Sequence, residues 1–139
     1  MKKIAIVILT ITLSILITGN CWAMQASWYS ISSLQKEGTY RYSKGVMANG
    51  KKFSDSSPTC ASWDYPLGTW LCVTNGRSGA SVVVRVTDRT ARRFKGKRID
   101  LSKGAFSQIA DCKQGIVQVL VEEIDPAIPD RKIMFEEGR

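Results

Sequence analysis

The chain of 139 residues contains no histidine. Without an imidazole it cannot build a Ser-His-Asp or Cys-His nucleophilic site, and the commonest protein ligand for metals is missing. Its cysteines also lack the C-x2-C pair that marks a zinc site. These absences predict a protein that works without a metal or any other cofactor.

Acidic side chains are scarce relative to basic ones. The sequence has 12 Asp and Glu against 20 Lys and Arg, which gives a formal net charge of +8. Such a balance suits an anionic partner, whether nucleic acid, a charged surface or an acidic polymer. The compartment of the protein has to decide among these.

No apolar run is long enough for a comfortable membrane span. The longest, residues 4–17, has 14 residues, whereas a spanning helix needs about 20. It follows Lys2 and Lys3 and precedes the small residues that a signal peptidase reads near Ala23. We therefore predict a signal peptide over residues 1–23 and export to the periplasm, the cell wall or the medium. An uncleaved anchor is the less favoured alternative.

A second interpretation places Cys21 at the start of a lipid-anchored chain. We rank it lower, because Asn20 is large for the residue before such a processing site. Cleavage after Ala23 leaves 116 residues with a net charge of +6. That length suits one small domain, which we place at residues 24–125, with 126–139 as a loose tail. Export argues against nucleic acid as a partner, and we expect a monomer.

Export also makes a disulfide plausible. Cys60, Cys72 and Cys112 remain after cleavage and allow one bridge with one thiol left over. Sequence alone does not choose among the three pairings.

Residue patterns predict about six short strands and one helix, a mainly β chain that suits a small barrel. Residues 30–50 have little apolar periodicity and are expected to form loops. Ser102 is a suitable cap for a helix that runs to about residue 111. Trp70 alternates with Leu71, and we expect Trp70 to be buried. The predicted strands are residues 26–29, 58–61, 69–74, 81–88, 97–101 and 116–121.

Asp88 ends the clearest strand. Val82, Val84 and Val86 fall on one face by period two, and Asp88 is next on that face. A carboxylate that continues an apolar stripe is desolvated, which raises its pKa as a general acid requires. Pairing with a neighbouring arginine is the plainer alternative.

A strongly basic loop joins Asp88 to a second carboxylate, Asp100. Two acids joined by positive charge suggest a polar groove for a polymer that is anionic or rich in hydroxyls. A solvated loop explains the basic residues equally well. These residues are Arg89, Arg92, Arg93, Lys95, Lys97 and Arg98.

Six short motifs occur in an order and spacing that together resemble the rare lipoprotein A family. The resemblance runs from about residue 26 to residue 121. It implies a double-psi β-barrel that acts on peptidoglycan, because characterised members are lytic transglycosylases. Expansins, which loosen walls without measurable hydrolysis, share the barrel. The motifs are Ala26-Ser27-Trp28-Tyr29, Met47-Ala48-Asn49-Gly50, Pro66-Leu67-Gly68-Thr69, Val73-Thr74-Asn75, Val84-Arg85-Val86-Thr87-Asp88-Arg89 and Arg98-Ile99-Asp100-Leu101-Ser102.

Only some of the family's site residues are found at the corresponding positions of this sequence. The family's Glu after the Ala-Asn-Gly motif is replaced by Lys51, and its His before the Pro-Leu-Gly turn corresponds to Ser62. The resemblance implies that Asp88 and Asp100 are the acids shared with expansins. The aromatic residue that expansins place after the first acid is Thr90 here.

We expect Asp88 to act as acid and base in an endolytic transglycosylase that cleaves peptidoglycan glycan strands to anhydro products. One acid is enough, because the sugar's own 6-hydroxyl attacks and no water has to be activated. Asp100 would hold a hydroxyl or tune Asp88. The alternative is an expansin-like module that binds or loosens wall glycan without cleavage. The expected substrate-binding residues are Tyr29, Asn49, Lys51, Ser62, Trp63 and Arg89.

Overall fold

The computed structural model describes residues 21–125 and Ala127. Six strands close into a barrel in the order β1-β5-β2-β4-β3-β6. The pairs β1/β5 and β2/β4 are parallel and the other four are antiparallel. The predicted six-stranded, mainly β architecture is therefore confirmed. The strands are β1 (Cys21–Tyr29), β2 (Thr59–Ala61), β3 (Trp70–Asn75), β4 (Ser81–Asp88), β5 (Arg98–Ser102) and β6 (Val117–Ile124).

Apolar side chains that alternate along the strands fill the barrel. On β3 the inward residues are Leu71 and Val73, both fully buried. The prediction for Trp70 was wrong: it lies on the outer face, where it pairs with Arg85 across β3 and β4 and the Arg85 guanidinium covers its ring at 5.5 Å. Strand alternation places only one of two neighbours inside, and the smaller Leu71 is the one that fits.

Residues 30–50, expected to be loop, contain two short helices, α1 (Ile31–Lys36) and α2 (Thr39–Ser43). Neither buries a residue, which is why apolar periodicity did not predict them. Local hydrogen bonds hold α1 instead: Ser30 and Ser33 form a reciprocal capping box, and the Ile31 N–H donates to Asp55 at 2.7 Å. Capping of this kind satisfies the orphan amides of a helix start.

The predicted cap at Ser102 is confirmed, since its hydroxyl accepts the Ala105 N–H. The helix that it starts, α3 (Lys103–Ser107), is shorter than predicted. Phe106 and Ile109 are buried in the hydrophobic core, as expected. Two 3₁₀ turns complete the fold, Arg92–Phe94 and Cys112–Gln114.

Strand β1 begins five residues earlier than predicted. Cys21, Trp22 and Ala23 pair with Glu122, Val121 and Leu120 of β6. The predicted cleavage point after Ala23 thus lies inside a strand, while residues 1–20 and most of the predicted tail lie outside the described residues. Within the described part of the chain, no helix is long and apolar enough to cross a membrane.

All four cysteines are free thiols in the structure. Cys60 is fully buried in the core, and Cys72 and Cys112 are partly buried. The bridge expected among these three residues is therefore not formed here.

Gly104 locks α3 against the loop before β2. Its N–H donates to the Asp55 carbonyl at 2.7 Å, and a Cβ at this position would lie 2.8 Å from that oxygen and 3.0 Å from the Ser56 Cα. Backbone atoms cannot yield as a flexible side chain would. The close approach therefore requires glycine.

We predict that Gly104→Ala lowers the free energy of unfolding by about 1–3 kcal/mol, because the added methyl overlaps backbone atoms. Gly76→Ala is the matched control, since its Cβ would meet its nearest atom at an ordinary 3.4 Å. Urea unfolding of both variants measures the difference. Equal stability of the two would contradict the close approach at Gly104.

Candidate functional site

An extra residue in β4 sets the direction of Asp88. Cys60 of β2 pairs with Val86, but the next residue, Ala61, pairs with Asp88 rather than Thr87. Two residues of β4 thus oppose one step of β2, which is a β-bulge. Asp88 therefore leaves the inward stripe of Val84 and Val86 and takes the outward face of Ala61. The prediction that Asp88 continues the apolar stripe was wrong because of this bulge.

The same residue of β2 also faces the second acid. Ala61 pairs with Asp100 of β5 on its other side, and Asp100 pairs in turn with Ser27 of β1. Directly paired residues share a face of the sheet. Ser27, Asp100, Ala61 and Asp88 therefore form one row across four strands. We call this set of four residues the acid row.

The Asp88 carboxylate is held by the backbone. Its Oδ1 accepts the N–H groups of Ala48 and Arg89, each at 2.9 Å. Amide donors of this kind stabilise a carboxylate in a fixed orientation. The neighbouring arginines act elsewhere: Arg89 donates to the carbonyls of Ser62 and Tyr65, and Arg85 donates to that of Gly68. An arginine clasp on Asp88 is thus not what positions it.

Asp100 has a drier environment. It is half-buried, and burial raises its pKa above the ordinary carboxyl value of 3.8. A hydrogen bond from the Ser27 hydroxyl and the positive charge of Arg98 oppose this rise. Desolvation is the largest of the three effects, so Asp100 retains its proton to a higher pH than an exposed aspartate.

Tyr29 lies beside both acids. It follows Ser27 by two residues on the same face of β1, and its ring stacks on Phe53 with 4.4 Å between centroids. Burial raises its pKa most, and the nearby charges of Asp88 and Asp100 raise it further. Its hydroxyl is buried and has no hydrogen-bond partner among the residues that the structure describes. The site therefore contains a protonated phenol that lacks an acceptor.

A tight turn closes one side of the acid row. The Asn49 N–H donates to the Thr87 carbonyl, and the Asn49 side chain accepts the Lys51 N–H. Together with the Ala48 bond to Asp88, these contacts fix the Met47–Lys51 turn against the end of β4. Asn49 and Lys51 are both exposed, as expected for residues that meet a ligand.

Ser62 does not belong to the exposed site. It is fully buried, its N–H donates to the Asp88 carbonyl, and its hydroxyl accepts the Asp64 N–H. The structure therefore gives no support to its expected role in substrate binding, because the hydroxyl is buried and used in a local turn. Ser62 instead supports the backbone of Asp88.

Trp63 and Arg89 form a structural cluster next to the acid row. The Trp63 indole N–H donates to the Thr90 carbonyl at 2.6 Å, and the guanidiniums of Arg89 and Arg92 lie 5.3 and 5.2 Å from its ring centroid. Arg89 is anchored by two carbonyls. Both residues were expected to bind substrate. In the structure they support the loops beside the acid row, and two guanidiniums lie near the ring of Trp63.

Sequence reasoning missed two members of the site. Ser27 is part of the first motif, and strand alternation from Tyr29 places it on the same face as Tyr29. Phe53, which stacks on Tyr29, lies in a stretch without periodicity and gave no signal. Neither contact could be predicted without the strand pairing.

Three members of the acid row, Ser27, Asp88 and Asp100, are half-buried, and Ala61 is buried. Two cavities of about 510 Å³ each are lined by other residues, one around Trp70 and Ile124 and one around Ile109 and Gln118. Among the described residues, no group of three or more Cys, Asp and Glu could hold a metal ion.

Comparison with known proteins identifies the family. A family model described as a lytic transglycolase matches residues 22–121. The chain belongs to this family. Its relatives include proteins named endolytic peptidoglycan transglycosylase RlpA from Neisseria meningitidis, 34% identical over 78% of this chain, and from Pseudomonas aeruginosa, 36% identical over 73%. The predicted membership of the rare lipoprotein A-like double-psi β-barrels is confirmed.

The chain spans 39% of the Neisseria protein and 27% of the Pseudomonas protein. Solved structures share the fold at lower identity. The Streptomyces papain inhibitor matches 77% of this chain and 96% of its own, with a TM-score of 0.58 and 21% identity. A mutant Clavibacter michiganensis expansin in complex with cellohexaose matches 78% of this chain and 53% of its own, with a TM-score of 0.54 and 24% identity. The likeness to these structures concerns the barrel.

We predict that Tyr29→Phe keeps or raises stability, by up to about 1 kcal/mol, because it removes a buried hydroxyl that has no partner and keeps the ring on Phe53. Thermal unfolding measures the change. Tyr42→Phe is the control, since Tyr42 is 87% exposed and its hydroxyl meets solvent. A clear loss of stability in Tyr29→Phe alone would mean that the phenol is satisfied.

We predict a pH dependence of stability from Asp100. Its raised pKa means that the folded protein binds this proton more tightly than the unfolded chain, so stability falls as pH rises from about 3.8 through the folded pKa and then levels. Asp100→Asn removes this part of the decline. Ser27→Ala steepens it, because the hydrogen bond that favours the carboxylate is lost. Urea unfolding across acidic pH measures both, and an Asp100→Asn curve that parallels the wild type would contradict the assignment.

Proposed function

We propose that the protein is exported and cleaves peptidoglycan glycan strands as an endolytic lytic transglycosylase at the acid row. The observation that carries the proposal is that one residue, Ala61, has an aspartate as its partner on both sides, so that two half-buried carboxylates share one side of the barrel wall. Membership of the lytic transglycolase family and the names of the relatives support the reaction class. The signal peptide predicted at residues 1–23 supports the location.

The environments of the two acids suggest different roles. Asp100, whose pKa burial raises, is suited to donate a proton to the glycosidic oxygen as the bond to C1 breaks. Asp88, held by two amide N–H groups, is suited to accept the proton of the 6-hydroxyl as that oxygen bonds to C1. The proposal thus divides the acid and base work that the sequence assigned to Asp88 alone. Pairs of carboxylates in unlike surroundings commonly divide their work in this way.

The reaction needs no activated water. The 6-hydroxyl is part of the substrate, so the atoms balance with one proton taken and one given. A reaction that activates no water does not require a histidine as general base, and this chain has none. The position of the family's glutamate, occupied by Lys51, lies on the Met47–Lys51 turn that borders Asp88.

The experiment is analysis by mass spectrometry of the products from purified sacculi. We expect anhydro-ended fragments from the wild type, and a loss of about 10²- to 10⁴-fold in Asp100→Asn and in Asp88→Asn, because each removes a group that transfers a proton. Asp111→Asn is the matched control, since Asp111 is exposed and caps a 3₁₀ turn. A wild type that releases no anhydro product would overturn the enzymatic proposal.

An expansin-like module that binds or loosens wall glycan is the second candidate. The replacement of the family's Glu and His by Lys51 and the buried Ser62 favours it, because Lys51 cannot serve as a carboxylic acid and Ser62 does not reach the surface. Retention on sacculi without any product, lost equally in both aspartate variants, would select this candidate.

A further inference from the structure

The segment between the two acids presents a compact set of exposed cations. We call Arg92, Arg93, Lys95 and Lys97 the cationic patch; all four are exposed. The patch begins four residues after Asp88 and ends three residues before Asp100. A polymer that is bound along the acid row and continues towards this loop would meet the patch.

Two guanidiniums of the patch are held in place by aromatic rings. Arg92 lies 5.2 Å from the centroid of Trp63, and Arg93 lies 4.7 Å from that of Phe94. Stacking uses the flat face of a guanidinium and leaves its N–H edge for an oxyanion. Since the side chains are already ordered, binding costs less conformational entropy than it would for free arginines.

The rings are themselves anchored. Trp63 donates its indole N–H to the Thr90 carbonyl, and Arg98 lies 4.5 Å from the other aromatic centre, Phe94. Arg98 also donates to the Gln25 side chain. Arg89 and Arg98, which are half-buried, thus support the two rings. Arg92 and Arg93 of the patch are exposed to solvent.

An acid that contacts this loop, Asp64, binds to its backbone. Both carboxylate oxygens of Asp64 accept the Gly96 N–H, at 2.8 and 3.0 Å, which fixes the turn between Lys95 and Lys97. Its charge is thereby engaged with the backbone. The Asp64 carboxylate thus orders the loop, while the four cations of the patch point outward. A charged loop that is merely solvated would not have such an anchor.

We propose that the cationic patch is a subsite for carboxylate or phosphate groups of a wall polymer bound along the acid row. The proposal rests on the proposed function for the identity of the polymer as a wall glycan, but its binding test does not require cleavage. Each guanidinium can donate two N–H groups to a pair of oxygens on a carboxylate or a phosphate. The expected export makes wall polymers the relevant anions.

The test compares variants of equal charge change. Arg92→Gln with Arg93→Gln removes the two stacked cations, and Arg77→Gln with Lys113→Gln removes two exposed cations elsewhere. The probes are peptide-free glycan strands with lactyl carboxylates, a phosphate-bearing teichoic acid, and neutral chitooligosaccharides, each at two salt concentrations. Thermal unfolding of every variant checks that folding is kept.

We expect the arginine pair variant to lose about 5- to 10-fold in affinity for an anionic polymer and to show a weaker salt dependence, since exposed ion pairs contribute little each and are screened by salt. Affinity for neutral chitooligosaccharides should not change. Arg92→Lys with Arg93→Lys keeps the charge but loses the planar fork, and should show a partial loss. The polymer that responds most identifies carboxylate or phosphate as the anion.

Equal losses in both Gln pairs, or none in either, would overturn the subsite, because net charge alone would then explain binding. Stronger arginine-dependent binding to DNA or to vesicles with anionic lipids would overturn the wall polymer as partner. Arginine-dependent binding without any anhydro product would leave the subsite standing and remove the proposed activity. The two proposals can therefore fail separately.

Discussion

The single extra residue at Thr87 decides which side of the barrel wall the Asp88 carboxylate occupies. Every second side chain of β4 before Asp88 is buried and points into the barrel. Without the bulge, the carboxylate would therefore also point into a core of Val, Leu and Ile side chains. An unpaired charge there costs several kcal/mol. The register shift replaces that cost with two amide hydrogen bonds on the outer side of the barrel wall. Because β2 also pairs with β5, the same shift brings Asp88 into line with Asp100.

The two acids then differ through their surroundings rather than through their chemistry. Backbone N–H groups hold Asp88, while burial opposed by Ser27 and Arg98 governs Asp100. Tyr29 lies close to both and remains a donor, because burial and the charges of the two acids raise its pKa. In the basic loop that connects the acids, Arg89 and Arg98 are half-buried and contact the barrel. Arg92 and Arg93 are exposed at the surface. One ten-residue segment thus supplies both the wall of the site and its positive field.

Sequence alone predicted the strands and the barrel well, because period-two patterns such as Val82, Val84 and Val86 record burial directly. It missed the two helices in residues 30–50, because neither buries a residue. The first of them is held by capping from Ser30 and Asp55, which leaves no apolar stripe. Among the candidate site residues, Asp88 and Asp100 are predicted from the sequence, and the structure pairs both with Ala61. Ser62 was misplaced because a motif position carries no information on burial. The direction of Asp88 itself depends on pairing with a distant strand, which no local pattern records.

The register at Ala61 is the most direct test of this account. Nuclear Overhauser cross-peaks between backbone protons of paired strands report that register without reference to activity. We expect Ala61 to show cross-peaks to Asp88 on β4 and to Asp100 on β5 in the same spectrum. Cross-peaks from Ala61 to Thr87 in place of Asp88 would return Asp88 to the inward face and contradict the shared site.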